Sequence, residues 1–368
     1  MSHGICRWGI LGAAGIALKN WHSIANSGNG QVVAVASRSA DKAAQFIESC
    51  QASAPVSHQV DHVEGYDALL NRSDIDAVYI PLPTGIRSEW VIKAAHAGKH
   101  VLAEKPVGTS AETVREMIAA CEANNVQLMD GVMFMHSDRM PAMRSVLDDG
   151  SSVGQIRRIA SQFSFCADEE WVSGNIRSNS RMEPAGCLGD LGWYTIRMSL
   201  WAMNFEMPTE VRGRILDGAG PSNHPDTVPM EFQGEMHFAS GASATFFNSF
   251  RTNHQQWAHI SGKNGYLEVK DFVLPNLGNT SEFTVANHDF IGDGCRFNME
   301  KRQQTFGIQE FSNNHRTAQE TKMFRTFANL VLSGKTDSDW PDVTLKTQLV
   351  MDAALRSARQ NGEAQKPE

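Results

Sequence analysis

The segment WGILGAAGIA, residues 8–17, decides the fold of the first half of the chain. Its first four residues have the apolar character of a buried β-strand, and an amphipathic helix follows. Gly12 supplies the tight turn between them, and such a turn presents free backbone N–H groups and the positive end of the helix to an anion. This order of strand, glycine turn and helix predicts a site for the pyrophosphate of a dinucleotide.

The loop departs at one position from the dinucleotide fingerprint G-x-G-x-x-G/A. Gly12 fits the first glycine and Ala17 the last position, but Ala14 replaces the second glycine, and Gly15 one residue later relieves the crowding. The alternative is that this loop only packs a helix on a sheet. The loop lies at the first βα turn of an alternating domain, and this position favours the dinucleotide site. We predict cofactor contacts from Gly12, Ala13, Ala14, Gly15, Ile16 and Ala17.

Short β-branched apolar runs alternate with amphipathic stretches from residue 5 to about residue 132. This alternation is typical of βαβ units and of an α/β fold with a doubly wound parallel sheet. The predicted strands cover residues 7–11, 32–36, 77–81, 100–103 and 126–129. The predicted helices cover residues 17–27, 41–48, 88–97 and 111–124.

The rhythm changes after residue 132 to longer strand-like runs, at residues 158–165, 230–238, 242–250 and 257–260. Consecutive strands without intervening helices favour an antiparallel sheet. Apolar residues at helical spacing around Phe324 and around Val350 predict two closing helices. At 368 residues the chain has the length of two domains, which we place at 1–132 and 133–368.

The charge and composition exclude several classes of protein. Lys and Arg number 33 against 41 Asp and Glu, and a net charge of −8 disfavours nucleic acid and anionic lipid as partners. No basic and apolar leader and no apolar run of about 18 residues is present, so we expect a soluble cytoplasmic protein. The six scattered cysteines predict reduced packing residues and no metal site, with Cys187 as the alternative candidate for a reactive thiol.

The second predicted strand ends at Ser37 and Arg38, where an acidic residue would bind the ribose hydroxyls of NAD. A hydroxyl followed by a guanidinium suits the 2′-phosphate of NADP instead, because arginine offers a charged fork to phosphate oxygens. We therefore predict NADP as the cofactor, with NAD as the less favoured one. In the alternative, Arg38 stacks on the adenine or lies in solvent, and Asp41 contacts the ribose.

Three further segments carry a resemblance to a known family. They are DAVYIPLPT at residues 76–84, AGKHVLAEKP at residues 97–106 and GCLGDLGWY at residues 186–194. Together with the glycine loop, they resemble the glucose-fructose oxidoreductase, inositol dehydrogenase and rhizopine-catabolism (Gfo/Idh/MocA) family. The likeness is greatest to its branch of dihydrodiol dehydrogenases and NADP-linked sugar dehydrogenases. It implies a Rossmann domain followed by an α+β domain with a large, mainly antiparallel open sheet, which pairs subunits into a homodimer or homotetramer.

The resemblance implies that Lys105 lies beside the nicotinamide and the reacting hydroxyl, at the carboxyl end of a Rossmann strand. A cation there stabilises negative charge on the substrate oxygen, and a cis peptide before Pro106 would aim it. The other cofactor contacts that the resemblance implies are Pro81, Leu82, Thr84, Arg87, Glu104 and Lys105. Many relatives have Asn and His where this chain has Thr84 and Arg87, so contacts at these two positions differ from the family pattern.

Asp190 and Tyr194 are four residues apart and share a face if their segment is helical. The resemblance implies that Asp190 orients the substrate and that Tyr194, where many relatives have His, exchanges a proton with it. A phenol has an ordinary pKa of about 10, so it needs the Lys105 cation to act as a base and less help as an acid. The alternative roles are a helix cap for Asp190 and a core residue for Tyr194. Further substrate contacts are predicted from His136, for which a structural role is equally compatible, and from Trp171.

These residues predict an enzyme that transfers hydride between NADP(H) and a hydroxyl or carbonyl of a sugar, polyol or dihydrodiol. Two other functions stay open on this fold. One is a glycoside hydrolase with tightly bound NAD, and the other is a non-catalytic sensor that binds NADP.

Overall fold

The computed structural model describes residues 4–221, 224 and 226–368. The chain folds into two compact units, of which the first contains residues up to 137, 181–184 and 311–348. Its parallel strands are β1 (Cys6–Leu11), β2 (Gly30–Ser37), β3 (Asp61–Glu64), β4 (Ala77–Ile80), β5 (His100–Ala103) and β6 (Leu128–Asp130). Its first helices are α1 (Gly15–Asn26), α2 (Ala40–Ser53), α3 (Tyr66–Leu70), α4 (Thr84–His96) and α5 (Ala111–Ala123).

The six strands form one parallel sheet in the order β3-β2-β1-β4-β5-β6. This confirms the doubly wound sheet, and the strand order reverses direction between β1 and β4. Ligands of such sheets bind outside the carboxyl ends of the strands at that point. The loops that follow β1 and β4 therefore border the expected cofactor crevice. Strand β3 was not predicted, because it is a four-residue edge strand that is only partly buried.

The second unit contains residues 138–180, 185–310 and 349–368. Its helices are α6 (Arg139–Asp148), α7 (Glu169–Gly174) and α8 (Trp193–Ala202). Its strands are β7 (Ile156–Ser164), β8 (Glu210–Ala219), β9 (Val228–His237), β10 (Ser243–Ser249), β11 (Gln255–Gly262), β12 (Tyr266–Val269), β13 (Thr280–Asp293) and β14 (Arg296–Gln309). They form an eight-stranded sheet in which only β7 and β10 pair in parallel, which confirms the large, mainly antiparallel sheet.

The hairpin of β13 and β14 has no counterpart among the predicted strands. Each of its strands has 14 residues, and of β13 only the stretch from Thr284 to Ala286 pairs with β12. Most of the hairpin is exposed, including Phe297 at 86 %. A strand that is exposed on both faces lacks the alternation of buried apolar residues by which sequence analysis finds strands.

Two helices close the chain, as predicted: α9 (Gln319–Ser333) and α10 (Asp339–Arg359). Helix α9 and the first half of α10 belong to the first unit, although the predicted boundary at residue 132 placed them in the second domain. The reason is aromatic packing beneath the sheet. Phe324 and Phe327 lie with their ring centroids 5.3 and 5.2 Å from that of Trp8 on β1. Burying a phenylalanine ring contributes about 2–3 kcal/mol, which favours closing the first core with this distant helix.

Candidate active site

The turn after β1 has the geometry that a pyrophosphate requires. Gly12 has φ +118°, and a Cβ added there would lie 2.9 Å from Cδ2 of Leu82, so the position needs glycine. Helix α1 begins at Gly15, and Ala14 before it has no polar side chain to cap the first N–H groups. A Cβ added at Gly15 would meet no atom within 4 Å, which leaves space at the helix end. The loop therefore fits a dinucleotide pyrophosphate.

A second polar group lies at the end of β2, which pairs with β1. Ser37 is buried and Arg38 is exposed. The end of β2 lies beside the glycine turn, because the Gly12 amide donates to the carbonyl of Ala36 at 2.9 Å. Burial raises the pKa of Tyr66, and the positive charge of Arg38 acts in the opposite direction. The Tyr66 hydroxyl is 4.0 Å from the position that a Cβ of Gly12 would take. Arg38 thus follows the part of β2 that borders the glycine turn, where the 2′-phosphate of NADP is expected.

Lys105 follows β5 by two residues, and the Lys105–Pro106 peptide bond is cis. The preceding Glu104 is fixed by a partly buried hydrogen-bond network. Its Oε1 accepts hydrogen bonds from the Tyr79 hydroxyl at 2.6 Å and from Nδ2 of Asn20 at 3.5 Å, and its Oε2 accepts one from the Lys105 amide at 3.2 Å. Burial and the charge of Glu104 raise the pKa of Tyr79, which therefore stays protonated and donates. The backbone that carries Lys105 is held by this carboxylate.

Thr84 and Arg87 are 2 % and 3 % exposed, respectively. The Arg87 guanidinium donates to the carbonyls of Leu82 and Pro106, and to Oγ1 of Thr84 at 3.2 Å. The Thr84 hydroxyl donates to Glu183 at 2.6 Å. Burial lowers the pKa of Arg87, and the negative charges of Glu183 and Glu104 oppose this effect. All these contacts are made within the protein, and they do not test the cofactor contacts that the resemblance implies for both residues.

Asp190 and Tyr194 lie on one helical segment of the second unit, which meets the condition that the sequence set. A π-helical turn, Leu188–Gly192, runs directly into α8, and such widened turns are frequent at functional sites. Oδ2 of Asp190 is 2.8 Å from Nε of Arg177 in an ion pair. The Tyr194 ring is 5 % exposed and packs edge-on against Phe163 at 5.6 Å between centroids.

The remaining predicted side chains have partners in the structure. The Trp171 ring packs on Phe165 at 5.4 Å and on Phe250 at 5.2 Å. His136 stacks on Trp340 at 4.7 Å. Cys187 is fully buried, and burial raises the pKa of its thiol well above the ordinary value, which argues against a reactive thiolate. Among the described residues no group of three or more His, Cys, Asp or Glu side chains could hold a metal ion.

The first unit thus brings the glycine loop, Leu82, Glu104 and Lys105 to the carboxyl ends of one sheet. The second unit brings Asp190 and Tyr194 to one helical segment. Sequence analysis did not assign these supporting contacts, which Asn20 and Tyr79 make to Glu104, Arg177 makes to Asp190 and Glu183 makes to Thr84. A tyrosine within the aliphatic run of β4 was the one available signal, because a buried phenol needs a hydrogen-bond partner.

Two family models match the chain. Residues 6–132 match the oxidoreductase family with an NAD-binding Rossmann fold, and residues 140–268 match the GFO/IDH/MocA C-terminal domain. A dTDP-3,4-didehydro-2,6-dideoxy-alpha-D-glucose 3-reductase of Saccharopolyspora spinosa is 31 % identical over 73 % of this chain and 76 % of its own. A D-xylose 1-dehydrogenase (NADP(+)) of Haloferax volcanii is 29 % identical over 76 % of this chain and 80 % of its own.

In the part of the chain that the structure describes, no helix is long and apolar enough to cross a membrane.

The fold is also similar to that of a solved enzyme, a 3-ketoreductase from Actinomadura kijaniata in complex with NADP and TDP-benzene. The TM-score is 0.78 at 26 % identity, over 96 % of this chain and 98 % of the other. Structures of the same reductase include variants in which one lysine is replaced by alanine or glutamate and one in which a tyrosine is replaced by phenylalanine. With the strand order and the glycine loop described above, these matches show that the chain belongs to the GFO/IDH/MocA family of oxidoreductases.

Proposed function

We propose that the protein is an NADP(H)-dependent oxidoreductase that transfers hydride between the nicotinamide and a hydroxyl or carbonyl carbon of a sugar, polyol or dihydrodiol. The observation that carries the proposal lies within the first unit. The Gly12 turn and Lys105 stand at the same edge of one parallel sheet, at the carboxyl ends of β1 and β5. Relatives that reduce keto sugars or oxidise a sugar with NADP support it.

The proposed cofactor contacts come from Gly12 to Ala17, Ser37, Arg38, Pro81, Leu82 and Glu104. When bound, the nicotinamide supplies or accepts the hydride. In the direction of reduction, the Lys105 ammonium donates a hydrogen bond to the carbonyl oxygen and stabilises its growing negative charge. The Tyr194 hydroxyl gives that oxygen a proton, and Asp190 accepts a hydrogen bond from a neighbouring substrate hydroxyl. Hydride on carbon and proton on oxygen together convert the carbonyl to an alcohol.

Arg38 sets the preference for NADP over NAD in this proposal. Replacing it by alanine is expected to raise the KM for NADPH by about 10- to 100-fold, because a charge-assisted hydrogen bond to phosphate contributes about 1.5–3 kcal/mol. The KM for NADH, which lacks the 2′-phosphate, changes little. Steady-state kinetics with both cofactors measures the difference, with Arg115→Ala on the exposed face of α5 as the matched control. Equal losses for NADPH and NADH would contradict the assignment.

The two other functions that the sequence left open receive no support. The relatives described above are reductases and dehydrogenases. A glycoside hydrolase with tightly bound NAD is further disfavoured by Arg38, because a guanidinium at the end of β2 suits NADP. A non-catalytic NADP sensor would not need both Lys105 and Tyr194. A lysine and a tyrosine are also the residue types that were replaced in variants of the solved reductase.

A substrate panel tests the proposal. The purified chain is incubated with NADPH and a dTDP-linked 3-keto sugar, and separately with NADP+ and D-xylose, other aldoses, polyols or a trans-dihydrodiol. Turnover is followed at the nicotinamide absorbance band. We expect at least one of these classes to react with a preference for the phosphorylated cofactor. Absence of turnover with every class, or product release without any change in the cofactor, would overturn the proposal.

We also propose a homodimer or homotetramer, formed through the open face of the eight-stranded sheet and acting in the cytoplasm. Trp257, His259 and Tyr266 are only half-buried on this face, and the latter two rings stack at 4.5 Å between centroids. The free cysteines, including exposed Cys166 and Cys295, suit a reducing compartment. Light scattering is expected to give a mass of at least twice the 40.5 kDa chain, whereas a monomer would contradict the assembly.

A further inference from the structure

We propose that Arg87 is a positioning residue that fixes the turn carrying Lys105, and that Glu183 acts through Thr84 to hold Arg87 in place. The inference rests on the proposed function only in that Lys105 acts on the substrate. It assigns Arg87 and Thr84 a role other than contact with the cofactor.

The contacts of Arg87 join two turns at the same edge of the sheet. Its guanidinium donates to the carbonyl of Leu82, two residues after β4, and to the carbonyl of Pro106, the residue after Lys105. Strands β4 and β5 are neighbours, with Ile80 paired to Ala103. One side chain therefore ties the turn that borders the cofactor crevice to the turn that carries the proposed catalytic lysine. The fixed planar fork of arginine suits two acceptors of this kind.

Glu183 completes the arrangement from a distant part of the sequence. Its carboxylate accepts from the Thr84 hydroxyl at 2.6 Å and from the Thr84 amide at 3.0 Å, at the first residue of α4. A carboxylate is favourable at this end of a helix. Its charge also opposes the effect of burial on the pKa of Arg87, and so supports the ionised guanidinium.

The backbone around Glu183 also contacts the first turn of α4. The Gly85 amide donates to the carbonyl of Met182 at 2.8 Å, and a Cβ added at Gly85 would lie 1.9 Å from the carbonyl oxygen of Arg181. Residues 181–184 thus lie directly on the first turn of α4 and belong to the same compact unit. The hydrogen bonds thus connect this segment to Thr84, Thr84 to Arg87, and Arg87 to the backbone beside Lys105.

A positioning role differs from a cofactor contact in what the variants change. Arg87→Met keeps most of the side chain's length and loses the fork, whereas Arg87→Lys keeps the charge but cannot span two carbonyls. Hydrogen exchange followed by mass spectrometry is expected to show residues 104–108 exchanging about tenfold faster in both variants, with other strands of the sheet unchanged. The affinity for NADPH alone, measured by its fluorescence, is expected to change by less than about threefold.

Three results of these two measurements would overturn the proposal. Unchanged exchange at residues 104–108 would show that Arg87 does not hold the turn. Faster exchange throughout the sheet would show a general loss of stability. A loss of NADPH affinity of about tenfold or more with unchanged exchange would show direct contact with the cofactor. Arg115→Met, an exposed arginine of the same unit, is the matched control and should match the parent chain in both measurements.

Kinetics separates this proposal from the proposed function. With a substrate that turns over in the panel, Arg87→Lys is expected to lower kcat by about 10- to 100-fold with little change in the KM for NADPH, because a small displacement of a catalytic group slows chemistry. The isotope effect with deuterated NADPH should rise as hydride transfer becomes rate-limiting, which a loss of stability alone would not cause. Full turnover by Lys105→Met would refute the catalytic role of the lysine and leave the exchange result standing. Full turnover by Arg87→Lys alone would refute only the positioning role.

Discussion

Replacing Lys105 by methionine is expected to lower kcat by about 100- to 1000-fold, the usual loss when one donor to a developing oxyanion is removed. Methionine keeps the unbranched chain and removes only the ammonium group. The KM for NADPH should change little, because the turn is held through the carboxylate of Glu104 and the carbonyl of Pro106. Steady-state turnover at saturating cofactor, with a substrate from the panel, measures the effect.

Two controls make the result with Lys105 decisive. Lys42→Met removes an exposed ammonium group from the same unit and should turn over like the parent chain. Lys105→Arg keeps a cation of different shape and should retain part of the activity, because the two side chains place their donors differently. If Lys105→Met were within about twofold of the parent, the proposed stabilisation of the oxyanion would be absent.

Much of the first unit could be predicted from short-range sequence patterns. Gly12 was predicted as the tight turn from its place between a strand and a helix, and its φ of +118° agrees. A helix was predicted from residue 111, and Ser110 and Thr113 form a reciprocal cap at the start of α5. Both signals lie within a few residues of sequence, where steric and hydrogen-bonding preferences act directly.

The side-chain contacts that hold the candidate site could not be predicted from such patterns. Thr84 and Glu183 are 99 residues apart, yet their side chains share a hydrogen bond. Nothing near Arg87 in the sequence indicates that its fork would bind two backbone carbonyls. Contacts of this kind depend on how distant segments pack, and periodicity reports only whether a residue faces a core.

The domain boundary shows the same limit on a larger scale. The apolar stripe of α9 was recognised, but an apolar stripe does not indicate which surface of the protein the helix packs against. Phe324 packs against both Trp8 and Tyr79, so a helix near residue 324 completes a core that begins at residue 6. The two family models match residues 6–132 and 140–268, and neither includes this helix.

Replacing Tyr194 by phenylalanine is expected to lower kcat by about 100-fold or more, the usual contribution of a positioned proton donor. Phenylalanine keeps the edge-on contact with Phe163, so stability should change little and the loss can be assigned to the hydroxyl. Tyr266→Phe, on the open face of the same unit's sheet, is the matched control and should leave turnover unchanged. A Tyr194→Phe variant with the parent kcat would show that the phenol only packs.

The double variant of Lys105→Met and Tyr194→Phe asks whether the two groups serve one step. Residues that act as a unit give losses that do not multiply, because once the proton donor or the cation is missing the remaining partner has little left to contribute. We therefore expect the double variant to be about as slow as the slower single variant. Losses that multiply would mean that lysine and tyrosine lower the barrier independently of one another, which would contradict the proposal that they act as a unit.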